Sequence, residues 1–323
     1  MKAIVQDGYG SEDVLELRDV ERPAIGPKDV LIRVRAAGVD PSVWHLMTGL
    51  PRVVRLAMGL RRPRHSVRGW DVAGTVETVG AEVTRFQPGD EVFGTGEGTF
   101  AEYAPAREDR LVAKPAGLSF TEAAVLPISA ITALQALRDK GRLTSRQHVL
   151  IIGAGGGVGT YAVQIAKAMG ATVTGVCSTA KLDLVRSLGA DHVIDYTRET
   201  FTDGSRRFDL MIDTAGNRPL AELRRALTPA GALVIVGGET SNPTWFGLWR
   251  NVRALLWTPF IGQRLIWFVS LVKTADLEHL RDMAEAGTVR PAMDREFTLA
   301  EAPDAIRYLQ RGQTRGGKVV LTV

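Results

Sequence analysis

The fold of this chain is decided by residues 149–169, which read VLIIGAGGGVGTYAVQIAKAM. Four apolar residues lead into a glycine-rich turn, and the turn leads into an amphipathic helix. A buried parallel strand has such a continuous apolar run, and glycines let backbone approach a pyrophosphate without Cβ atoms in the way. The phosphate would lie at the helix N-terminus, where unpaired N–H groups and the helix dipole favour an anion. The stretch therefore predicts the first β-α unit of a dinucleotide-binding fold.

The register of the glycines allows two readings. Gly156 and Gly159 can follow Ala154 as the first position of the motif, or Gly153, Gly156 and Gly159 can be read in three-residue steps. The turn could also pack a helix tightly on a sheet without binding any ligand. Nucleotide binding is favoured because apolar strands and helices alternate for about ninety further residues. The predicted strands are 171–177, 192–196, 208–216 and 231–238, and the predicted helices include 179–188 and 219–227.

The end of the second strand indicates which dinucleotide would bind. NAD enzymes place an Asp or Glu there, about 20 residues beyond the glycines, to hold the ribose 2′-hydroxyl. Here residues 177–181 read CSTAK and contain no carboxylate. Ser178 and Thr179 can hydrogen-bond a 2′-phosphate and Lys181 can neutralise it, which predicts NADP as the cofactor. In the alternative interpretation, Ser178 only caps the next helix and Lys181 is a solvated surface residue.

Composition narrows the class of protein. A chain of 323 residues is long for one core, so two domains are expected. Its 45% hydrophobic and 24% charged residues are typical of a soluble globular protein. The first residues, MKAIVQDGYG, lack the apolar region of a signal peptide, so a cytoplasmic location is expected. The single cysteine excludes an internal disulfide and a cysteine-based structural zinc cluster.

Positive charge is concentrated between Pro41 and Trp70, a window without any Asp or Glu. The net charge of the chain is only +4, so this local cluster matters more than the total. The cluster would be either a solvated basic loop or a surface that steers an anionic cofactor or substrate. No nucleic acid partner is predicted, because no recognised binding motif accompanies the arginines. The arginines are Arg52, Arg55, Arg61, Arg62, Arg64 and Arg68.

The first 120 residues differ in pattern from the centre of the chain. Short alternating strands such as 30–39 and 74–80 are broken by PGD at 88–90 and by glycine-rich turns, as in a compact antiparallel barrel. The last residues, GGKVVLTV at 316–323, form another such strand. Because this strand follows the doubly wound region, we expect it to return to the first domain.

Five motifs occur along the chain: GWDVAGTVETVGAEVTRFQPGDEVFG (69–94), GTFAEYA (98–104), GAGGGVG (153–159), SLGADHVIDY (187–196) and GGKVVLTV (316–323). In this order they resemble the medium-chain dehydrogenase/reductase superfamily and, within it, the zinc-independent quinone oxidoreductase branch. The resemblance implies an α/β protein with a GroES-like, β-rich catalytic domain formed by 1–121 and 291–323. It also implies a doubly wound Rossmann NADP-binding domain at 122–290, NADPH as cofactor and a homodimer. A small-molecule substrate is expected, and no membrane partner.

The predicted cofactor site extends beyond the second strand. The resemblance adds Tyr196, at the end of the third strand, as a second contact to the 2′-phosphate; alternatively, this residue only closes the sheet edge. The predicted cofactor-binding residues of the turn and the second strand are Gly153, Ala154, Gly155, Gly156, Gly157, Val158, Gly159, Ser178, Thr179 and Lys181. Further predicted contacts are Thr132, Thr214, Ala215, Val236, Gly237 and Gly238.

No metal site is predicted. Zinc-dependent relatives place a cysteine in the segment that reads AAGVDPSVWH (36–45) here, and a His-Glu pair where this chain has Trp70 and Asp71. The five histidines show no ligand spacing, and Cys177 falls at the end of a predicted strand, where a small buried hydrophobe is expected. Hydride transfer without a Lewis acid suits an acceptor that is already electrophilic, such as a quinone, an enone or another activated carbonyl compound.

Asp40, Trp44 and His45 are the candidate catalytic residues. Relatives in the quinone reductase branch have Asn at the position of Asp40, near nicotinamide and substrate. A carboxylate there could orient the substrate or relay a proton, or it could simply cap a helix that starts at Pro41. Trp44 and His45 follow one helical turn later and could line the same cleft. Because of the Asp40 substitution and the missing metal, an NADPH-binding regulatory or structural protein with little turnover is the alternative function.

Residues 244–272 contain four of the six tryptophans. Arg250, Arg253 and Arg264 interrupt this segment and exclude a membrane-spanning helix, which needs about 20 apolar residues. Core packing and interfacial membrane association are both open. We expect a lid over the substrate pocket or a dimer contact, because large aromatic residues concentrate at such places.

Overall fold

The structure is a computed structural model that describes residues 1–52, 55–202, 206–237, 248–258 and 261–323. The chain divides into two compact units. The first unit comprises 1–131, 272–314 and 318–323, and the second comprises 132–271 and 315–317. Residues 272–290 therefore pack with the two ends of the chain. The boundaries 121/122 and 290/291 stay a prediction for the limits of the folding domains.

The first unit is built on β-sheet. A seven-stranded sheet has the order β14-β15-β3-β4-β5-β7, with β6 also paired to β3, and β1 and β2 form a separate antiparallel pair. The strands of the first unit, in both sheets, are β1 (Lys2–Val5), β2 (Glu16–Asp19), β3 (Asp29–Val39), β4 (Asp71–Val79), β5 (Glu91–Thr95), β6 (Tyr103–Arg107), β7 (Leu111–Ala113), β14 (Met293–Thr298) and β15 (Lys318–Thr322). The predicted antiparallel pairing holds throughout this sheet except between β14 and β15, which are parallel. The predicted return of the last strand is confirmed, since β15 pairs with β3.

Short helices cover this sheet. Helix α3 starts with a capping box, in which the Ser119 hydroxyl accepts from the Glu122 amide and the Glu122 carboxylate accepts from the Ser119 amide. The apolar faces of β3 and β15 pack with Val43, Met47 and Ile306 into one core. The helices are α1 (Pro41–Thr48), α2 (Arg55–Met58), α3 (Phe120–Ala124), α4 (Pro127–Gln135), which crosses into the second unit, α9 (Thr274–Glu285) and α10 (Ala302–Gln310).

The second unit is a parallel six-stranded sheet in the order β10-β9-β8-β11-β12-β13. Counting strands from β8, this order is 3-2-1-4-5-6, which is the doubly wound arrangement expected from the sequence. The strands are β8 (His148–Ile152), β9 (Thr172–Cys177), β10 (His192–Asp195), β11 (Phe208–Asp213), β12 (Leu227–Ile235) and β13 (Arg264–Trp267), and the helices are α5 (Gly157–Ala168), α6 (Leu182–Ser187), α7 (Leu220–Arg225) and α8 (Leu248–Trp257). The GroES-like plus Rossmann fold class is confirmed.

The aromatic segment 244–272 supplies regular structure to the second unit. Helix α8 and the edge strand β13 come from it, and Ala254, Trp257 and Leu265 pack in the core beside the sheet. Core packing therefore accounts for this part of the segment. Strand β13, the sixth strand of the sheet, was not predicted from the sequence. Residues 244–247 and 259–260 lie outside the described part. None of the described helices is long and apolar enough to cross a membrane.

Candidate functional site

The glycine-rich turn joins β8 to α5 under tight steric constraints. Gly153 has a φ of +81°, and a Cβ there would overlap the Thr214 hydroxyl. A Cβ at Gly159 would overlap the Gly153 carbonyl oxygen, because α5 passes directly against the turn. Gly156 is the N-cap of α5 and donates its N–H to the Gly153 carbonyl at 2.9 Å. Gly153 and Gly159, the first and last positions of the three-residue reading, are therefore positions where the backbone geometry requires glycine.

The start of α5 forms a cradle that fits a pyrophosphate. Gly156 has no side chain that could accept from the first amides of the helix, and no Asp or Glu lies in its first turn. The amides of Gly157 and Val158 belong to the first turn, whose N–H groups have no acceptor within the helix. An anion placed there gains these donors and the positive end of the helix dipole. These residues would hold the pyrophosphate of a dinucleotide.

Lys181 lies beside this cradle. A Cβ at Gly155 would come within 2.9 Å of Lys181 Cβ and 2.8 Å of its Cδ, so the lysine methylenes cover the glycine turn. Sequence reasoning placed Lys181 near the adenosine ribose but did not predict this contact. It also missed the second neighbour of Gly155, since the Gly317 amide donates to the Gly155 carbonyl at 3.1 Å. Gly316 and Gly317 therefore lie beside the glycine-rich turn, and strand β15 begins only at Lys318.

A carboxylate that the sequence analysis overlooked lies at the end of β10. Asp195 is buried next to Cys177 in the sheet and accepts hydrogen bonds from the hydroxyls of Thr179 and Thr197. These hydrogen bonds hold the pKa of Asp195 below its usual range. Burial and the charge of Asp195 raise the pKa of the Cys177 thiol to about 11, so this cysteine is a neutral core residue at neutral pH. The signal was present in the sequence, because Asp195 directly follows an apolar run.

Thr179 and Ser178 differ in what they offer a ligand. The Thr179 hydroxyl donates to Asp195, so its proton is committed inside the protein. Ser178 holds the N-cap position of a short 3₁₀ turn over Thr179–Lys181, but in the described part of the chain its side chain makes no capping hydrogen bond. The capping alternative therefore describes the Ser178 backbone and not its hydroxyl. Tyr196 follows Asp195 and is 52% exposed, which leaves its ring accessible at this edge.

The other predicted cofactor residues gather mostly at the same sheet edge. Thr214 donates from its hydroxyl to the Ile152 carbonyl at 2.8 Å, and Ala215 follows it. The amides of Val236 and Gly237 both donate to the Asp213 carbonyl, and a Cβ at Gly237 would overlap the Thr214 carbonyl oxygen. Gly238 lies outside the described residues. Thr132 lies on α4 and shares a 2.8 Å hydrogen bond with the Ser270 hydroxyl.

Asp213 carries a buried ion pair that the sequence analysis did not anticipate. Its carboxylate accepts from Arg250 Nη2 and from the amides of Ala215 and Gly216 at 3.2 and 3.0 Å. Arg250 Nε donates to the Arg218 carbonyl at 3.1 Å. The ion pair therefore fixes the loop after β11, where two predicted cofactor contacts lie.

Asp40 caps α1 in the first unit. Its Oδ1 accepts from the Ser42 amide at 2.9 Å and from the Ser42 hydroxyl, and Pro41 occupies the first turn. This is the capping interaction that the sequence offered as the alternative to a catalytic role. Asp40 is only 6% exposed. Its second oxygen is buried and lies 3.7 Å from Lys318 Nζ.

Asp40, Asp71 and Lys318 form a buried charge cluster. Lys318 Nζ donates to Asp71 Oδ2, and Asp71 Oδ1 accepts from the Ile128 amide at 3.0 Å. Asp71 is completely buried and Lys318 is 2% exposed. Burial raises the pKa of Asp71 to about 6, although the Lys318 ammonium opposes this shift. Sequence analysis treated Lys318 only as part of a strand and Asp71 only as a position without zinc.

Trp44 and His45 lie on α1 with their rings in contact. The ring centroids are 5.2 Å apart at an interplanar angle of 75°, and Trp44 packs partly against the core of the first unit. Burial lowers the pKa of His45, although a hydrogen bond with the Leu50 backbone and the charge of Asp40 oppose this shift. The imidazole is therefore neutral at neutral pH and is not a ready proton donor.

Comparisons with known proteins agree with this geometry. A family model described as alcohol dehydrogenase GroES-like domain matches residues 26–116, and one described as zinc-binding dehydrogenase matches 188–321. A model of the C-terminal domain of alanine dehydrogenase/PNT matches 138–217. The mitochondrial NAD(P)H oxidoreductase RTN4IP1 of Mus musculus is 33% identical over 360 residues, covering 100% of this chain and 89% of that protein. The chain belongs to the medium-chain dehydrogenase/reductase superfamily.

Two further relatives define the branch of this superfamily. A 2-methylene-furan-3-one reductase of Solanum lycopersicum is 34% identical over 336 residues, covering 99% of this chain and 79% of that protein. The structure of the quinone oxidoreductase from Coxiella burnetii matches with a TM-score of 0.85 at 29% identity, covering 100% of this chain and 99% of that chain. This medium-chain dehydrogenase/reductase is therefore an NAD(P)-dependent oxidoreductase of the quinone-oxidoreductase-like branch.

The zinc named in one family description does not fit the residues of this member of the superfamily. Among the described residues, no group of three or more His, Cys, Asp or Glu side chains is placed to hold a metal ion. Both oxygens of Asp71 are engaged, one by Lys318 and the other by the Ile128 amide. Trp70 stands where zinc-dependent relatives have histidine.

The raised pKa of Asp71 predicts a pH-dependent contribution to stability. Because the folded protein holds this proton more tightly than the unfolded chain, Asp71 contributes most below the pKa of a free aspartate, about 4. The contribution falls as pH rises through about 6. We expect Asp71→Asn to lower the free energy of unfolding more at pH 5 than at pH 7.5, as measured by urea unfolding. A cost that is constant or that grows with pH would contradict the assignment.

Proposed function

We propose that this protein is a zinc-independent, NADPH-dependent reductase that transfers hydride to a quinone, an enone or another activated carbonyl compound. The observation that carries the cofactor choice is the position of Lys181, whose side chain covers the glycine turn. Lys181 follows the second strand, whose end at 177–181 has no carboxylate. The 2′-phosphate of NADPH bears close to two negative charges and would find a cation there. The carboxylate of Asp195, at the end of the neighbouring strand, has its oxygens engaged by two threonines.

The residues of the second unit would bind and orient the cofactor. The first amides of α5 hold the pyrophosphate, while Lys181 and Ser178 hold the 2′-phosphate, with Tyr196 as a second contact. The loops after β11 and β12 contribute Thr214, Ala215, Val236 and Gly237 to the same edge. Bound NADPH supplies the hydride. Fixed binding of this kind converts the reaction into an oriented, effectively unimolecular step.

In the first unit we assign Asp40 a positioning role and not a proton relay. Its Oδ1 is used to cap α1 and its Oδ2 lies in the buried charge cluster. By fixing the start of α1, Asp40 sets the positions of Trp44 and His45, which we propose as residues that line the substrate pocket. The neutral His45 then offers hydrogen bonds without adding charge. The homodimer belongs to the same proposal and rests on the resemblance alone, and a cytoplasmic location is proposed with it.

The substrate class follows from the absence of suitable metal ligands in the described residues. Without a Lewis acid to polarise a carbonyl, an acceptor must be electrophilic by conjugation. The names of the relatives agree with this, since they include a quinone oxidoreductase and a 2-methylene-furan-3-one reductase. We expect NADPH consumption with quinones and enones and none with the matched saturated ketones. An NADPH-binding protein without turnover would bind the cofactor and consume none of it with any acceptor of the panel.

The purified protein is expected to contain no stoichiometric zinc and to keep its activity in a strong chelator. The reason is that the Asp71 carboxylate is already engaged by Lys318 and that Cys177 is a neutral thiol in the core of the other unit. Elemental analysis before and after chelation measures this, with NADPH oxidation assayed on the same samples. One zinc per chain that is lost together with activity would overturn the metal-free part of the proposal.

A further inference from the structure

One arginine of the basic segment is not a solvated surface residue. Arg52, Arg61, Arg62 and Arg64 are exposed, as a basic loop would have them, whereas Arg68 is only 4% exposed. Its Nε and Nη2 atoms are buried, and neither finds a hydrogen-bond acceptor among the residues that the structure describes. Burial lowers the pKa of Arg68. Arginine nevertheless stays protonated in proteins, so a positive charge is held in the interior.

The backbone around Arg68 is fixed on both sides. Val67 pairs with Val5 in an antiparallel bridge, and the Phe100 amide donates to the Arg68 carbonyl at 2.9 Å. Gly69 has a φ of +98°, and a Cβ there would overlap the hydroxyl of Thr99. Neighbouring segments therefore hold the backbone at Arg68 in place.

The surroundings of Arg68 do not compensate its charge. The window 41–70 contains no Asp or Glu, and among the residues that the structure describes the Tyr9 phenol is the titratable group that favours the cation. Glu97 and Arg68 line one small cavity, but the Glu97 carboxylate is 63% exposed and lies 3.8 Å from His65 Nδ1. A buried cation without a counter-ion is strongly unfavourable. A water molecule could accept its hydrogen bonds but could not neutralise it.

Arg68 is one of the residues that line a small cavity. The cavity has a volume of about 30 Å³, and its apolar lining includes Val43, Leu46, Met58 and Val67. One water needs about 10–15 Å³ on this scale, so the space holds a carboxylate head of three heavy atoms, and the cavity is open on one side, where the short alkyl group of a small acid can lie. A nucleotide or a phosphate ester is too large. The planar fork of arginine matches the two oxygens of a carboxylate, and the apolar wall suits a short alkyl group.

We infer that Arg68 and this cavity form a binding site for a small monocarboxylate, of the size of acetate or propionate. The two unpartnered N–H groups donate to the carboxylate oxygens, and the alkyl group contacts the apolar side chains. The site lies entirely within the first unit, and it depends on none of the residues proposed to bind NADPH. Carboxylate binding therefore stands or falls separately from the reductase activity.

The test is an NMR titration of [¹³C]acetate with the full-length protein at constant ionic strength. We expect saturable broadening of the acetate signal at one site per chain, which unlabelled propionate reverses. Acetamide, the uncharged analogue, should not compete. Arg68→Met should weaken acetate binding by at least about tenfold, because it removes charge-assisted hydrogen bonds. The matched control Arg62→Met removes an exposed arginine of the same segment and should bind as the wild type does.

The thermal midpoint gives a second readout from the same variants. Arg68→Met removes the uncompensated charge, so we expect its midpoint without acetate to equal or exceed that of the wild type and not to rise when acetate is added. The wild-type midpoint should rise with acetate. If Arg68→Met fails to fold, Arg68→Lys, which keeps the charge and loses the fork, should still bind acetate more weakly. Absence of saturable binding by the wild type, or equal binding by wild type and Arg68→Met, would overturn the inference.

Discussion

Replacing Lys318 with Met is expected to lower the free energy of unfolding by about 3–5 kcal/mol, because it leaves Asp40 and Asp71 as buried carboxylates without a cation. Asp71 is completely buried, so solvent cannot take over the role of the ammonium. Urea unfolding of wild type and variant at pH 7.5 measures the loss. This is the largest loss of stability that we predict for any variant of this chain.

Two controls separate the cluster from a general effect of losing a lysine. Lys2→Met breaks an exposed ion pair with Asp19 and should leave the unfolding midpoint nearly unchanged. Adding Asp71→Asn to Lys318→Met should recover part of the loss, since one of the two unpaired charges is then gone; a double-mutant cycle gives the coupling. A loss for Lys318→Met no larger than that for Lys2→Met would refute the cluster.

Lys181→Ala is expected to weaken NADPH binding by about ten- to a hundredfold and to leave NADH binding nearly unchanged. A charge-assisted hydrogen bond contributes about 1.5–3 kcal/mol, and only NADPH has the 2′-phosphate that receives it. Fluorescence titration of both cofactors on wild type and variant measures the two affinities.

The position of Lys181 over Gly155 calls for a second variant. Lys181→Met keeps the methylenes on the glycine turn and removes the charge, so it should lose NADPH affinity as Lys181→Ala does. Arg186→Met removes a cation of α6 that pairs with Asp183 and should change neither affinity. Equal losses for NADH and NADPH in the Lys181 variants would mean that the side chain only supports the turn.

The sequence was sufficient for the fold because its signals there are local. Apolar runs, the glycine turn and the spacing of strands placed β8 to β12 and the return of β15. The glycines of the turn are required by contacts over short distances in the chain, as at Gly153 and Gly159. Strand β13 was missed because the tryptophans and arginines of 244–272 indicate that this segment is partly buried. They do not indicate whether it forms a helix or a strand.

The charged parts of the site could not be predicted because their partners are far apart in the chain. Lys318 and Asp71 are separated by 247 positions, and each is the charged first residue of a largely apolar strand. Asp195 lies closer in the chain to its partners. It was overlooked because only the end of the second strand was searched for a carboxylate. Its hydrogen bond with Thr179 depends on how β9 and β10 align in the sheet. A single sequence does not show either arrangement.

The measurement that tests the proposed function most directly is the ratio of kcat/KM for NADPH to that for NADH, in chelator-treated wild-type protein with the quinone or enone that it reduces fastest. The account predicts steady turnover without metal and a ratio well above one, which falls towards one in Lys181→Met. A ratio below one, or turnover that appears only when zinc is added back, would contradict it.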